Sequence, residues 1–145
     1  MSELDITSII NLLVAFFLGI LIGLPREREG KVAGLRTHVL VAVGSALFMV
    51  ISEQMMLKSG SADPGRIASG IVTGIGFLGA GCIMQGGSSV RGMTTAASIW
   101  ITAAIGVAAG AGMYVPAVSG TIITLITLQV LRWTEKKFFK TKDEG

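Results

Sequence analysis

Apolar residues in this chain come in long blocks, not in the alternating or every-third-residue patterns of water-soluble strands and helices. Five blocks of about 17 to 20 residues run from about Ile6 to Leu24, Val39 to Leu57, Arg66 to Met84, Gly92 or Thr94 to Gly110, and Val115 to Leu131. At 1.5 Å per residue, a helix of that length matches a hydrocarbon layer of about 30 Å. Polar punctuation falls between the blocks. Pro25 and the charges Arg26-Glu27-Arg28-Glu29 stop the first, Asp63-Pro64 opens the third, and Gly112-Met113-Tyr114 separates the last two. The pattern predicts an all-α membrane protein of five transmembrane helices in a compact, glycine-rich bundle. Residues 1–134 form that domain, and 135–145 a short basic cytoplasmic tail.

Glycine makes a second pattern inside the first. The third block carries Gly70, Gly74, Gly76, Gly79 and Gly81, and the first has a GxxxG spacing at Gly19 and Gly23. In water each would weaken a helix by roughly 1 kcal/mol relative to alanine. In lipid the backbone amides have no other partner, so the helix persists and glycines become contact surfaces. Gly70, Gly74 and Gly81 share one face of the third helix, with Gly76 and Gly79 opposite. Two bare faces predict that this helix sits in the middle of the bundle. With Gly19 and Gly23 they also predict a homodimer, which Gly74→Leu should weaken.

Composition sharpens the membrane reading. The chain is 51% hydrophobic and 14% charged, whereas about 25% is usual in soluble domains. If the first loop is cytoplasmic, that side holds Arg26, Arg28, Lys31, Arg36, Arg91, Arg132, Lys136, Lys137, Lys140 and Lys142. These are ten of the twelve basic residues, leaving Lys58 and Arg66 outside. The positive-inside rule then places the N-terminus outside and the C-terminus in the cytoplasm, with Tyr114 and Trp133 at opposite interfaces. A net charge of +3 distributed this way indicates a bilayer as partner, not nucleic acid. Cys82 stands alone, excluding an internal disulfide framework. The acidic start MSELD has no cleavage site after the first block, so that block reads as a retained helix.

Candidate chemistry is sparse. No Ser/His/Asp set, P-loop or dinucleotide fingerprint is present, so the chain reads as no enzyme, with no catalytic residues and no cofactor; the metal question stays open. His38 reads as an interfacial cap or, alternatively, a metal ligand. Glu53 is the one acid within an apolar block, either snorkelling to the interface or binding a cation or proton. Asp63 caps the third helix, and with Arg66 could contact a ligand or a second copy. Arg91, Thr94, Thr95 and Ser98 combine a cation, helix-start amides and hydroxyls. They form either a modest anion or headgroup site or a hydrogen-bonded corner. The row from Arg26 to Glu29 reads as a solvated helix extension, and the tail as a juxtamembrane anchor to anionic lipid.

GLPRERE followed by AGLRTHVLVAVG, then DPGRIASGIVTGIGFLGAGCIM, then VRGMTTAASIWITAAIGVAAG closely resembles the membrane domain of the MgtC/SapB family of bacterial inner-membrane proteins. The resemblance runs from roughly Leu12 to Tyr114. It implies a five-helix membrane domain linked to growth in low magnesium and, in pathogenic members, to survival in phagocytes and restraint of the ATP synthase. Glu27, Arg36, Asp63, Arg66, Gly74, Gly76, Gly79, Gly81, Arg91, Thr94 and Thr95 are then family-motif positions. The chain departs from the pattern at Pro25, where many relatives have an acid. It departs again at Thr94 and Ile101, where the virulence branch has asparagine and a nearby cysteine. It also has no room after Lys142 for the soluble C-terminal domain of longer members. Those departures weigh against the ATP-synthase role here. Two functions stay open: a non-enzymatic modulator of magnesium or ion homeostasis that binds another membrane protein or complex, and a magnesium or other cation transporter or channel. Magnesium prefers octahedral oxygen coordination, usually with carboxylates, whereas the deep polar groups here are hydroxyls such as Thr73, Thr102 and Thr124. Exposed carbonyls around Gly76 to Gly81 would be the other source of ligands.

Overall fold

A computed structural model describes residues 3–60, 63–86 and 89–131. The basic tail, Trp133 and the cations from Arg132 onward lie outside the described residues. Among the described residues there are five helices: α1 (Glu3–Arg28), α2 (Leu35–Ser59), α3 (Pro64–Gly81), α4 (Met93–Gly110) and α5 (Tyr114–Ile126), the last continued by a π-helical turn, Thr127–Leu131. Among the described residues, α1, α2, α4 and α5 with its π turn are long and apolar enough to cross a membrane. In α3 the glycines and Arg66 dilute the apolarity. The exterior is apolar, as lipid requires: Phe77 and Val115 are each 82% exposed.

Two helices outrun their expected ends. Pro25 does not stop α1, which continues to Arg28. A proline this near the C-terminus forfeits one amide, and its own carbonyl still accepts from the Glu29 amide at 3.1 Å. α2 starts at Leu35, four residues before the apolar block, and so takes in Arg36 and His38. α3 ends at Gly81, short of Met84, which instead opens a small antiparallel ribbon of β1 (Met84–Gly86) and β2 (Ser89–Arg91). Gly92 returns the chain to α4 with φ +92°, and a side chain there would meet the Cys82 carbonyl oxygen. Only glycine fits that corner.

The expectation that α3 lies mid-bundle is wrong. α4 packs on α1, α2, α3 and α5, whereas α3 touches α2 and α4 at the edge. Only Ile75 and Gly79 of α3 are buried. A Cβ added at Gly70, Gly74, Gly76 or Gly81 would meet nothing within 4 Å. Closely packed glycines lie elsewhere. A Cβ at Gly110 would come 2.5 Å from the Ala46 carbonyl oxygen, and one at Gly106 would collide with that of Ala42. The GxxxG of α1 is spent inside the monomer: Cβ atoms at Gly19 and Gly23 would fall 2.9 and 2.8 Å from the Cα atoms of Val39 and Leu35. Around these contacts Ala15, Leu18 and Ile22 pack against Ala42, Ala46, Ile105, Ala109 and Ala117. Small side chains from four helices therefore bring backbones together, the packing mode that works where lipid removes the hydrophobic drive.

Candidate functional site

On α1 the positions 15, 19, 22 and 26 recur at helical spacing, so the face carrying buried Ala15, Gly19 and Ile22 also carries Arg26. Arg26 is 4% exposed, and its Nη2 donates to Thr95 Oγ1 at 2.8 Å. It is not part of a solvated row. Its place at the C-terminus of α1 sets the cation beside unsatisfied carbonyls, the favourable end of the dipole. Glu27 and Arg28 are exposed, and Glu27 Oε2 accepts from the Leu35 amide at 2.8 Å, closing the turn from α1 into α2.

His38 is fully buried. It is therefore an interior group of the bundle, on the first turn of α2. Its Nδ1 lies 2.7 Å from the Gly34 carbonyl oxygen and therefore donates to it, while Nε2 lies 3.1 Å from Ser98 Oγ. The Ser98 hydroxyl also reaches the Thr95 carbonyl at 2.8 Å. One hydrogen serves two acceptors: it goes to Nε2 of a neutral imidazole, or to Thr95 when Nε2 itself carries a proton. Thr102 Oγ1 donates to the Ser98 carbonyl at 2.7 Å. A guanidinium, an imidazole and two hydroxyls thus pin together the end of α1 and the starts of α2 and α4.

The constellation of Arg91, Thr94, Thr95 and Ser98 divides. Thr95 and Ser98 are buried on the inward face of α4, whereas Thr94 and Arg91, at the end of β2, are exposed. The cation that meets Thr95 is Arg26, and a hundred-degree step per residue turns Thr94 away from it. Arg36 is exposed on the first turn of α2. Asp63 is the expected cap: its carboxylate accepts from the Gly65 amide at 2.9 Å, with Pro64 in the first helical turn. Arg66 is exposed one turn further on, and Glu53 is half-buried on α2 with no side-chain hydrogen bond among the described residues. Among those residues no cluster of three or more His, Cys, Asp or Glu could hold a metal ion.

A second buried polar group lies at the other end of the bundle. Asn11, 4% exposed, donates through Nδ2 to the Gly110 carbonyl at 2.8 Å and accepts the Tyr114 hydroxyl at 2.6 Å. Sequence reasoning passed over both Asn11 and Arg26. The signal for Arg26 was its register with Gly19 and Ile22; Asn11 sits four residues before Ala15 on the same face.

The family model described as the MgtC family matches residues 12–137. The chain is similar to the protein named "Putative magnesium transporter YhiD" of Escherichia coli (strain K12), 47% identical over 127 residues, covering 84% of this chain and 59% of that one. It is 49% identical over 124 residues to Protein MgtC of Salmonella typhimurium (strain LT2), covering 86% and 52% of the two chains. Protein MgtC of Brucella abortus (strain 2308) is 49% identical over 118 residues, covering 81% and 48%. The chain thus spans about half the length of these curated relatives. No solved structure matches it.

Proposed function

Because the chain belongs to the MgtC family, we propose that it is a non-enzymatic modulator of magnesium homeostasis in the bacterial inner membrane, acting by binding another membrane protein or complex. The observation that carries this reading is the buried guanidinium of Arg26, hydrogen-bonded to Thr95 where α1, α2 and α4 meet. A divalent cation about 7 Å from it would be repelled by about 5 kcal/mol at an effective dielectric constant of about 20. The hydroxyls along the helices, Thr73 donating to Ser69, Thr102 to Ser98 and Thr124 to Gly120, offer neutral oxygens, whereas magnesium usually takes carboxylates. The ten-to-two distribution of cations supports a cytoplasmic C-terminus and an external N-terminus.

Transport is the second reading, favoured by the name of the YhiD relative. Vesicles reconstituted with the full chain decide between them. Magnesium flux is expected to stay within about twofold of protein-free vesicles. Saturable flux that disappears in Glu53→Gln or Asp63→Asn would transfer the function to transport.

The homodimer belongs to the same proposal, with a changed interface. Since Gly19 and Gly23 are used within the monomer, and Gly70 and Gly74 line a groove against α2, the interface is placed on a second small-residue face of α3, Ser69, Thr73, Gly76 and Ala80, all exposed and at helical spacing. Gly76→Leu should lower the dimer fraction in detergent by tenfold or more, with helicity unchanged because its Cβ meets nothing. Unaltered mass by light scattering would remove this interface.

A further inference from the structure

Between α2 and α3 lies an apolar groove of about 510 Å³, open on its outer side, with Leu40, Phe48, Ile71 and Leu78 among its walls. Gly44 on one helix and Gly70 and Gly74 on the other keep it clear, since a Cβ at any of them would meet nothing within 4 Å. The charge lining it is Arg66, at the end nearest the start of α3. Arg66 is exposed, and its guanidinium makes no hydrogen bond or ion pair among the described residues. Asp63, three residues before it, is engaged in capping the Gly65 amide.

We propose that this groove binds one anionic phospholipid, an acyl chain lying along Gly44, Gly70 and Gly74 and the phosphate paired with Arg66. The argument is charge complementarity. A long apolar trough with one unengaged cation at its mouth matches an amphiphile with one anionic head, and a guanidinium suits the forked oxygens of phosphate. A second copy in the same groove is the alternative occupant, and dissociation of the protein dimer by Gly74→Leu would reveal it.

The test is native mass spectrometry of the full chain in detergent, titrated with phosphatidylglycerol and with phosphatidylcholine of identical acyl chains. Phosphatidylglycerol should be retained about fivefold more tightly than phosphatidylcholine, and Arg66→Gln should erase that preference while Arg66→Lys keeps most of it. Gly74→Leu should close the groove to both lipids with the circular dichroism spectrum and the protein dimer unchanged, which separates this site from the Gly76 interface. Equal retention of the two lipids, or binding indifferent to Gly74→Leu, overturns the proposal. So does a protein dimer that Gly74→Leu dissociates, because the groove would then hold a second copy.

Discussion

Gly106→Leu is expected to leave no monodisperse, cooperatively melting protein in detergent. The position is hemmed by backbone: its Cβ would collide with the Ala42 carbonyl oxygen and approach the Ala42 carbonyl carbon to 3.0 Å. Rotamer changes cannot relieve a clash between a Cβ, whose place its own backbone fixes, and the main chain of Ala42, so α2 and α4 must separate. Overpacking usually costs about 1–3 kcal/mol, and a whole leucine against a backbone belongs at or above the top of that range. Gly106→Ala divides the opposing effects. Better helix propensity favours it by up to about 1 kcal/mol, and the single methyl still meets the carbonyl. Sterics should win, lowering the melting temperature by several degrees. A Gly106→Ala protein as stable as the parent would show that α2 and α4 do not approach so closely. Gly74→Leu is the matched control, because the same substitution there enters open space.

Thr95→Val should cost about 2 kcal/mol by thermal or denaturant melts, though it removes no volume. A hydrogen bond to a charged group contributes about 1.5–3 kcal/mol, and its loss here takes from a buried guanidinium the Nη2 partner at 2.8 Å. Arg26→Met behaves differently, since replacing a buried ion with an apolar chain of similar length removes the desolvation cost along with the bond. Its effect should be small, and Arg26→Met combined with Thr95→Val should be more stable than Thr95→Val alone. Strict additivity of the two would mean that the pair is not coupled. If Arg26→Met folds yet changes magnesium-dependent growth, the charge is retained for function at the expense of stability.

Much of the site lay within reach of periodicity. Arg26 stands on the Ala15, Gly19 and Ile22 stripe, and Thr95, Ser98, Thr102 and Gly106 make a matching stripe on α4. Reading Arg26 with its charged neighbours, as one solvated row, concealed it. The Asp63 cap needed only local chemistry, a carboxylate one residue before Pro64, and it holds as expected. The partner of Thr95 could not come from local reasoning, because Arg26 is 69 residues away in the chain.

By itself the sequence determined the medium, the number of helices, their approximate limits and the family. Each follows from block length, apolarity and local punctuation, which act within a few turns of chain. Tertiary structure alone decided which glycines are contacts. Bare backbone permits close approach but does not supply the neighbour, so α3 carries the glycines while α4, through Gly106 and Gly110, holds the centre. It alone also decided that Arg26 faces inward, because the burial of a charge at a helix end depends on which helix comes to lie across it.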